Sequence, residues 1–143
     1  MLVSQILKSK GDSVFTITPN ETVGSVSIHL HGQRVGALVV MGPDDKVVGI
    51  VSERDVVRMV AEHGPGGLER SISECMSTSV VYAEPTETVD LLMERMTDRR
   101  IRHLPVCRDG RLVGIVSIGD LVKVKIAEAE AEAQTLKNYI SAG

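Results

Sequence analysis

Two short segments hold the side chains best placed to do chemistry: Ser52-Glu53-Arg54-Asp55 and Ser117-Ile118-Gly119-Asp120. Each follows a Gly-Ile-Val run, Gly49-Ile50-Val51 and Gly114-Ile115-Val116, and opens a stretch of helix-forming residues. A strand that turns directly into a helix leaves unpaired N–H groups and the positive end of the helix dipole at the corner, which favours a phosphate. The serine hydroxyl can donate to a phosphate or ribose oxygen, and an acid one turn inside can accept both hydroxyls of a ribose diol. The glycine, with no Cβ, is expected to leave room for a flat adenine. A plainer reading exists. Ser-x-x-Asp at a helix start is close to a capping box, with Asp standing for the usual Glu or Gln. One copy alone favours capping; two copies with the same strand, glycine and acid favour a site, and one serine can do both.

The duplication extends beyond the corners. Gly49 returns as Gly114, 65 residues later, whereas Ser13-Val14 and Pro19-x-Glu21-Thr22-Val23 return 66 residues later as Ser79-Val80 and Pro85-x-Glu87-Thr88-Val89. The one-residue difference falls in the loops Gly42 to Lys46 and Arg108 to Arg111, where length changes are tolerated. Val14 to Ile17 and Val80 to Ala83 are short β-prone runs stopped by Pro19 and Pro85. Thr22 and Thr88 are N-cap candidates for helices starting near Val23 and Val89. Val35 to Met41 is expected to pair with Val47 to Val51, and Ile101 to Cys107 with Leu112 to Val116 across Asp109-Gly110, a hairpin signal. The apolar run from Val47 to Val51 suggests a strand covered on both faces. Each half therefore reads β-α-β-β-α, and the fold class is mixed α/β. A short helix precedes the first half, where Leu2, Val3, Ile6 and Leu7 recur at helical spacing before Gly11, and His63 to Gly67 is the linker. The resulting division is 1–67, 68–125 and a helical extension, 126–143.

The bulk composition narrows the function classes. Among 143 residues, 43% are hydrophobic, enough for one compact domain or two halves sharing a core without metal or disulfide help. A net charge of −3 argues against nucleic-acid or anionic-membrane partners, and the few aromatics, Phe15, Tyr82 and Tyr139, argue against base stacking on single strands. Cys75 and Cys107 stand apart and read as two reduced thiols in a cytoplasmic protein. The N-terminus has no signal-peptide pattern, and no apolar run is long enough to span a bilayer.

The paired Gly-Ile-Val-Ser-x-x-Asp segments, with Pro-x-Glu-Thr-Val upstream and Arg102-His103-Leu104-Pro105-Val106 before the second hairpin, resemble a tandem pair of CBS domains, the Bateman module. The resemblance spans Met1 to about Lys125. It implies two repeats related by pseudo-twofold symmetry and a regulatory sensor, not an enzyme, for an adenosine nucleotide such as AMP, ADP, ATP or NAD(H), with no metal cofactor. Such pairs commonly form a homodimeric disc with ligand clefts between the repeats, so a second copy and a regulated protein are the implied partners. Carried over by position, Asp55 and Asp120 would hold ribose hydroxyls, Ser52 and Ser117 ribose or phosphate, and Arg54 a phosphate. Thr16 and Tyr82 would edge the pocket, and Arg102 and His103 would face phosphates. Val51, Val116, Ile17 and Ala37 are the aliphatic candidates for flanking adenine. The halves differ: Glu53-Arg54 stands opposite Ile118-Gly119, and Gly36-Ala37 opposite Arg102-His103, so unequal sites are expected, with Gly119 offering only close backbone contact.

Other residues invite and then lose a functional reading. His29 and His31, two apart on a helix, point to different faces and cannot share a metal ion easily. The Arg99 to His103 cluster is too short for a nucleic-acid patch and fits a phosphate role or a solvated face. Beyond Ile118 the chain is rich in helix formers, and Val122, Ile126, Ala129, Ala133, Leu136 and Ile140 follow a/d spacing. Packing on the disc or on a symmetry mate is the expectation for that stripe. Two further functions compete: a scaffold used only for assembly, and a nucleotide-acting enzyme, for which no nucleophile, base or metal cage is in place.

Overall fold

The structure, a computed structural model, describes residues 1–11 and 14–142. Ser13, which opens the upstream match, lies outside the described residues. Ten elements follow in order: α1 (Val3–Lys10), β1 (Thr16–Ile17), α2 (Val23–Gln33), β2 (Ala37–Met41), β3 (Val47–Ser52), α3 (Glu53–His63), α4 (Val89–Arg99), β4 (His103–Arg108), β5 (Arg111–Ser117) and α5 (Ile118–Ala142). No helix among the described residues is long and apolar enough to cross a membrane.

The two halves repeat one plan with local differences. Thr22 Oγ1 accepts from the Ser25 N–H at 3.1 Å, and Thr88 Oγ1 from Leu91 at 3.2 Å, so both expected caps form. Both capped helices, α2 and α4, close on a left-handed arginine, Arg34 and Arg100, each at φ 55°. On α2, Val23, Val26 and Leu30 face inward while Ile28 is exposed, which restores a helical period that the sequence had blurred. Each α-helix then feeds an antiparallel hairpin. Ala37 pairs with Ser52 in the first and His103 with Ser117 in the second. The β4–β5 turn has Asp109 and Gly110 both at positive φ, as a tight two-residue hairpin turn requires.

The halves part company at their first strands. β1 lies parallel to β2 in a three-stranded sheet, but the expected strand from Val80 to Ala83 is reduced to one parallel bridge, Ala83 to Val106. The fully covered strand is β2, with four consecutive buried residues; β3, at the sheet edge, alternates, as a strand with one well-covered face does.

The lead-in segments are exchanged. α1 is contiguous with the first half in sequence, yet its Val3, Ile6 and Leu7 are buried with Leu92, Leu104, Val106 and Leu121 of the second. Ile72 and Cys75, from the short 3-10 turn after the linker, are buried with Val23, Leu38 and Val51 of the first. Matching backbone bonds fix the exchange: Val3 N–H to Glu87 O at 2.9 Å and Ile72 N–H to Glu21 O at 2.8 Å. The glycines serve this packing. A Cβ on Gly114 would lie 2.5 Å from Leu7 Cδ2, and one on Gly49 2.7 Å from Met76 Sδ. The space expected to admit adenine is therefore taken by the exchanged segments, and that expectation is corrected.

Candidate functional site

Both serine–aspartate corners are helix starts, and both cap. In the first, Asp55 Oδ2 accepts from the Ser52 N–H at 2.8 Å and the Ser52 hydroxyl at 3.3 Å, while Asp55 Oδ1 meets Arg58 Nη1 at 3.1 Å. In the second, Asp120 Oδ2 accepts from the Ser117 N–H at 2.9 Å and Ser117 Oγ accepts from the Asp120 N–H at 3.1 Å, a reciprocal capping box. The next N–H is closed by backbone in each case, Glu53 to Gly36 O at 3.0 Å and Ile118 to Arg102 O at 2.8 Å. Capping does not exhaust the acid, since an ionised carboxylate offers about four acceptor positions.

What stands beside each corner differs. Beside the first is an open cleft of about 230 Å³ between the halves. Ser52, Glu53, Arg54 and Asp55 line it from the first half, with Gly36, Ala37 and Ile50; Ser77, Ser79, Val81, Arg100, Ile101, Arg102, His103 and Pro105 line it from the other side. Hydroxyls, two acids in the first turn of α3, several cations and a set of aliphatic side chains thus converge on one space. Glu53 lines the wall too, together with Arg54, Arg100 and Arg102.

Beside the second corner stands Lys10. Its Nζ lies 2.7 Å from Asp120 Oδ2 and 3.0 Å from the Ile115 carbonyl. Burial pushes the Asp120 carboxyl up, but the bonds from Lys10 and the Ser117 N–H outweigh it, and the group is held below the usual carboxylate range. The first half has no such lysine. There the Ser77 backbone pairs with Ile50 in both directions, at 2.9 and 3.0 Å, and the lead-in turn ends at Glu74, whereas α1 runs on to Lys10.

His103 sits between the corners. A Cβ on Gly36 would be 3.1 Å from the imidazole, so the glycine makes its room. Burial, then the Lys10 charge, push its pKa below the ordinary histidine value, against the opposing pull of Glu53 and Asp120. The imidazole is neutral at neutral pH and touches the electrostatics of both corners.

Of the residues proposed from sequence, Ala37, Ser52, Arg54, Asp55, Arg102 and His103 come together on the cleft. Ser117, Gly119 and Asp120 form the second corner, away from it. Ile17, Val51 and Val116 are not on its wall: all three are packed in the cores, Val51 and Val116 fully buried. Thr16 lines a separate surface hollow with the two hairpin loops, and Tyr82, largely exposed, contributes its carbonyl to Arg95 at 2.9 Å. Ser77, Ser79, Val81, Arg100 and Ile101 were missed. For Ser77, Ser79 and Val81 a signal was present: β1 and its counterpart are matched 66 residues apart, so the residues around Val80 edge the same space; Arg100 and Ile101, between α4 and β4, carried none beyond the Arg99 to His103 cluster. His29 stacks 4.9 Å from Phe15 instead of facing an ion, and among the described residues no three metal-ligating side chains cluster.

The comparisons with known proteins agree with this geometry. The CBS domain model matches twice, at residues 3–62 and 72–127. The chain is 34% identical over 149 aligned residues to the CBS domain-containing protein CBSX3, mitochondrial, of Arabidopsis thaliana, covering 99% of this chain and 72% of that one. A crystal structure of a CBS-domain containing protein from Agrobacterium tumefaciens superposes with a TM-score of 0.84 at 44% identity, over 87% of this chain and 92% of the other. A CBS domain pair solved in complex with 5′-methylthioadenosine and S-adenosyl-L-methionine superposes with a TM-score of 0.77 at 26% identity, over 90% and 98% of the two chains. With two copies of the unit, an exchanged lead-in segment for each and one cleft open between them, the chain belongs to the CBS-domain family as a tandem pair.

Proposed function

We propose that the chain is a regulatory module that binds one adenosine-containing ligand, such as AMP, ATP or NAD(H), in the cleft beside Asp55 and acts on a partner protein as a homodimer. The observation that carries the reading is the convergence in one cleft of Ser52 and Asp55 at a helix start with Ser77, Ser79, Arg100, Arg102 and His103 from the other side. Asp55 and the Ser52 hydroxyl suit a ribose diol; the ligand's hydroxyls take over the acceptor positions that Ser52 now occupies. Arg54, Arg100 and Arg102 suit phosphates as charge-assisted donors. Ala37, Ile50, Val81 and Ile101 offer an aliphatic slot for the base. The relative solved with two adenosine compounds supports the choice of ligand class.

The second corner is a poorer site, because a lysine from another element, Lys10, reaches across it to both Asp120 and the Ile115 carbonyl, whereas Asp55 is paired by Arg58 within its own helix. Binding at one cleft per chain is therefore expected, and any conformational signal is limited by the ligand's differential affinity for the two shapes of the pair. Calorimetric titration with AMP, ATP and NADH tests the reading: saturable heat near one ligand per chain for at least one of them is the expected result, and no heat or thermal shift with any would overturn it.

A further inference from the structure

α5 outruns the body it starts from. Of its 25 residues only Leu121 is buried, and every residue from Ala129 to Ala142 is exposed. Its first turns are tied down, Lys125 to Asp90 at 2.8 Å and Glu128 to the N-terminal amine at 3.4 Å; nothing among the described residues covers the rest. An isolated helical stretch this short is marginal in water. It also carries an apolar stripe into solvent, with Ile126 55%, Leu136 60% and Ile140 69% exposed.

The charges flanking that stripe say what covers it. With Val122, Ala129 and Leu136 at d and Ile126, Ala133 and Ile140 at a, the e positions are Lys123, Glu130 and Lys137 and the g positions are Lys125, Glu132 and Tyr139. In a parallel, in-register pair each g residue meets the e residue five places on in the other helix. Lys125 then meets Glu130, and Glu132 meets Lys137, opposite charges each time. The antiparallel arrangement that overlaps the whole stripe sets Lys123 against Lys137 and makes Glu130 and Glu132 each face their own copies. Slipped antiparallel registers leave one end of the stripe uncovered. Both members of every favourable pair come from this one sequence, so the complementary partner is a second copy. Alanine at the two central layers lets the helices approach closely.

We infer that two copies of this chain join through a parallel, in-register pairing of α5 from Val122 to Ile140. This rests on the homodimer of the proposed function and fixes its polarity: the second halves of the two chains lie on the same side, and the open clefts are related by an axis along the helix pair.

The test is disulfide trapping with Ala133→Cys, whose side chain faces its own copy only in the parallel register. Under mild oxidation the variant is expected to run as a covalent dimer on non-reducing gels, while the parent chain with Cys75 and Cys107 does not. A charge pair supplies a second readout: Glu132→Lys should weaken the dimer at least severalfold in sedimentation at low salt, and adding Lys137→Glu should restore it. A dimer by sedimentation in which A133C does not trap, but A129C mixed with A133C does, overturns the parallel pairing and leaves the homodimer standing. A monomer at all concentrations overturns both. Either result leaves the ligand proposal to its own titration.

Discussion

Lys10 Nζ, at the end of α1, lies 2.7 Å from Asp120 Oδ2, in the first turn of α5, whereas the matching Asp55 pairs at 3.1 Å with Arg58 of its own helix. The lysine reaches its acid because α1 packs on the half it does not adjoin in sequence.

Lys10→Ala should uncover the second corner. Calorimetry of the variant is expected to move from one ligand per chain toward two, with the first affinity little changed. The pair is partly exposed, so the change should cost less than about 1 kcal/mol of stability. An unchanged stoichiometry would show that the corner is closed by more than the lysine.

Asp55→Ala should reduce ligand affinity at least tenfold, whereas Asp120→Ala should leave it within about twofold. Both substitutions remove a cap and should destabilise by about 1 kcal/mol. Equal losses of binding in the two variants would contradict a single working cleft.

His103 is expected to titrate below the ordinary histidine value of about 6.5. Because burial and Lys10 depress its folded pKa, its contribution to stability is complete above the unfolded value and is lost as pH falls through the folded one. NMR titration should show its pKa rise in Lys10→Ala, since the cation that depresses it most has gone. Glu87 has the same sign at lower pH. Its hydrogen bond from Arg95 holds the carboxyl below its usual range, with the Glu84 N–H assisting at 2.8 Å. Glu87→Gln should cost about 1–3 kcal/mol at neutral pH, and the deficit should shrink as acid protonates the parent.

Gly114→Ala should destabilise the protein by about 1–3 kcal/mol, because the new methyl meets Leu7 in a packed core. Leu7→Ala, costly on its own, should cost less in the Gly114→Ala background, so the double variant loses less than the sum of the single losses in a double-mutant cycle of thermal or urea melts. Additive costs would mean that the close approach of α1 is not what Gly114 serves.

The repeat made most of the fold legible. Thr22 and Thr88, the Asp109-Gly110 turn and the strand-to-helix corners are local signals, and local chemistry decides them. The exchange of lead-in segments is a long-range choice that no window of sequence contains. Yet its trace was readable: Val3, Ile6 and Leu7 share their spacing with Ile72, Cys75 and Met76, and Val14 lies seven residues beyond Leu7 whereas Val80 lies four beyond Met76. The three additional residues contain Lys10, so a second difference between the corners was written there, beside the Glu53-Arg54 difference. Val51 and Val116 were misplaced for a simpler reason. Strand alternation sends the residue before each serine into the core, and its neighbours take the other face.

The first ten residues leave the ribosome early, but the apolar partners of Val3, Ile6 and Leu7 are made late, the last of them Leu121. The segment from Val3 to Leu7 must therefore wait, unburied, until the second half has been made, while Ile72 and Cys75 can seal the earlier core as soon as they appear. Co-translational assembly should accordingly proceed in two stages, and in the interval before the second, Val3 to Leu7 is a stretch that a chaperone or a protease can find.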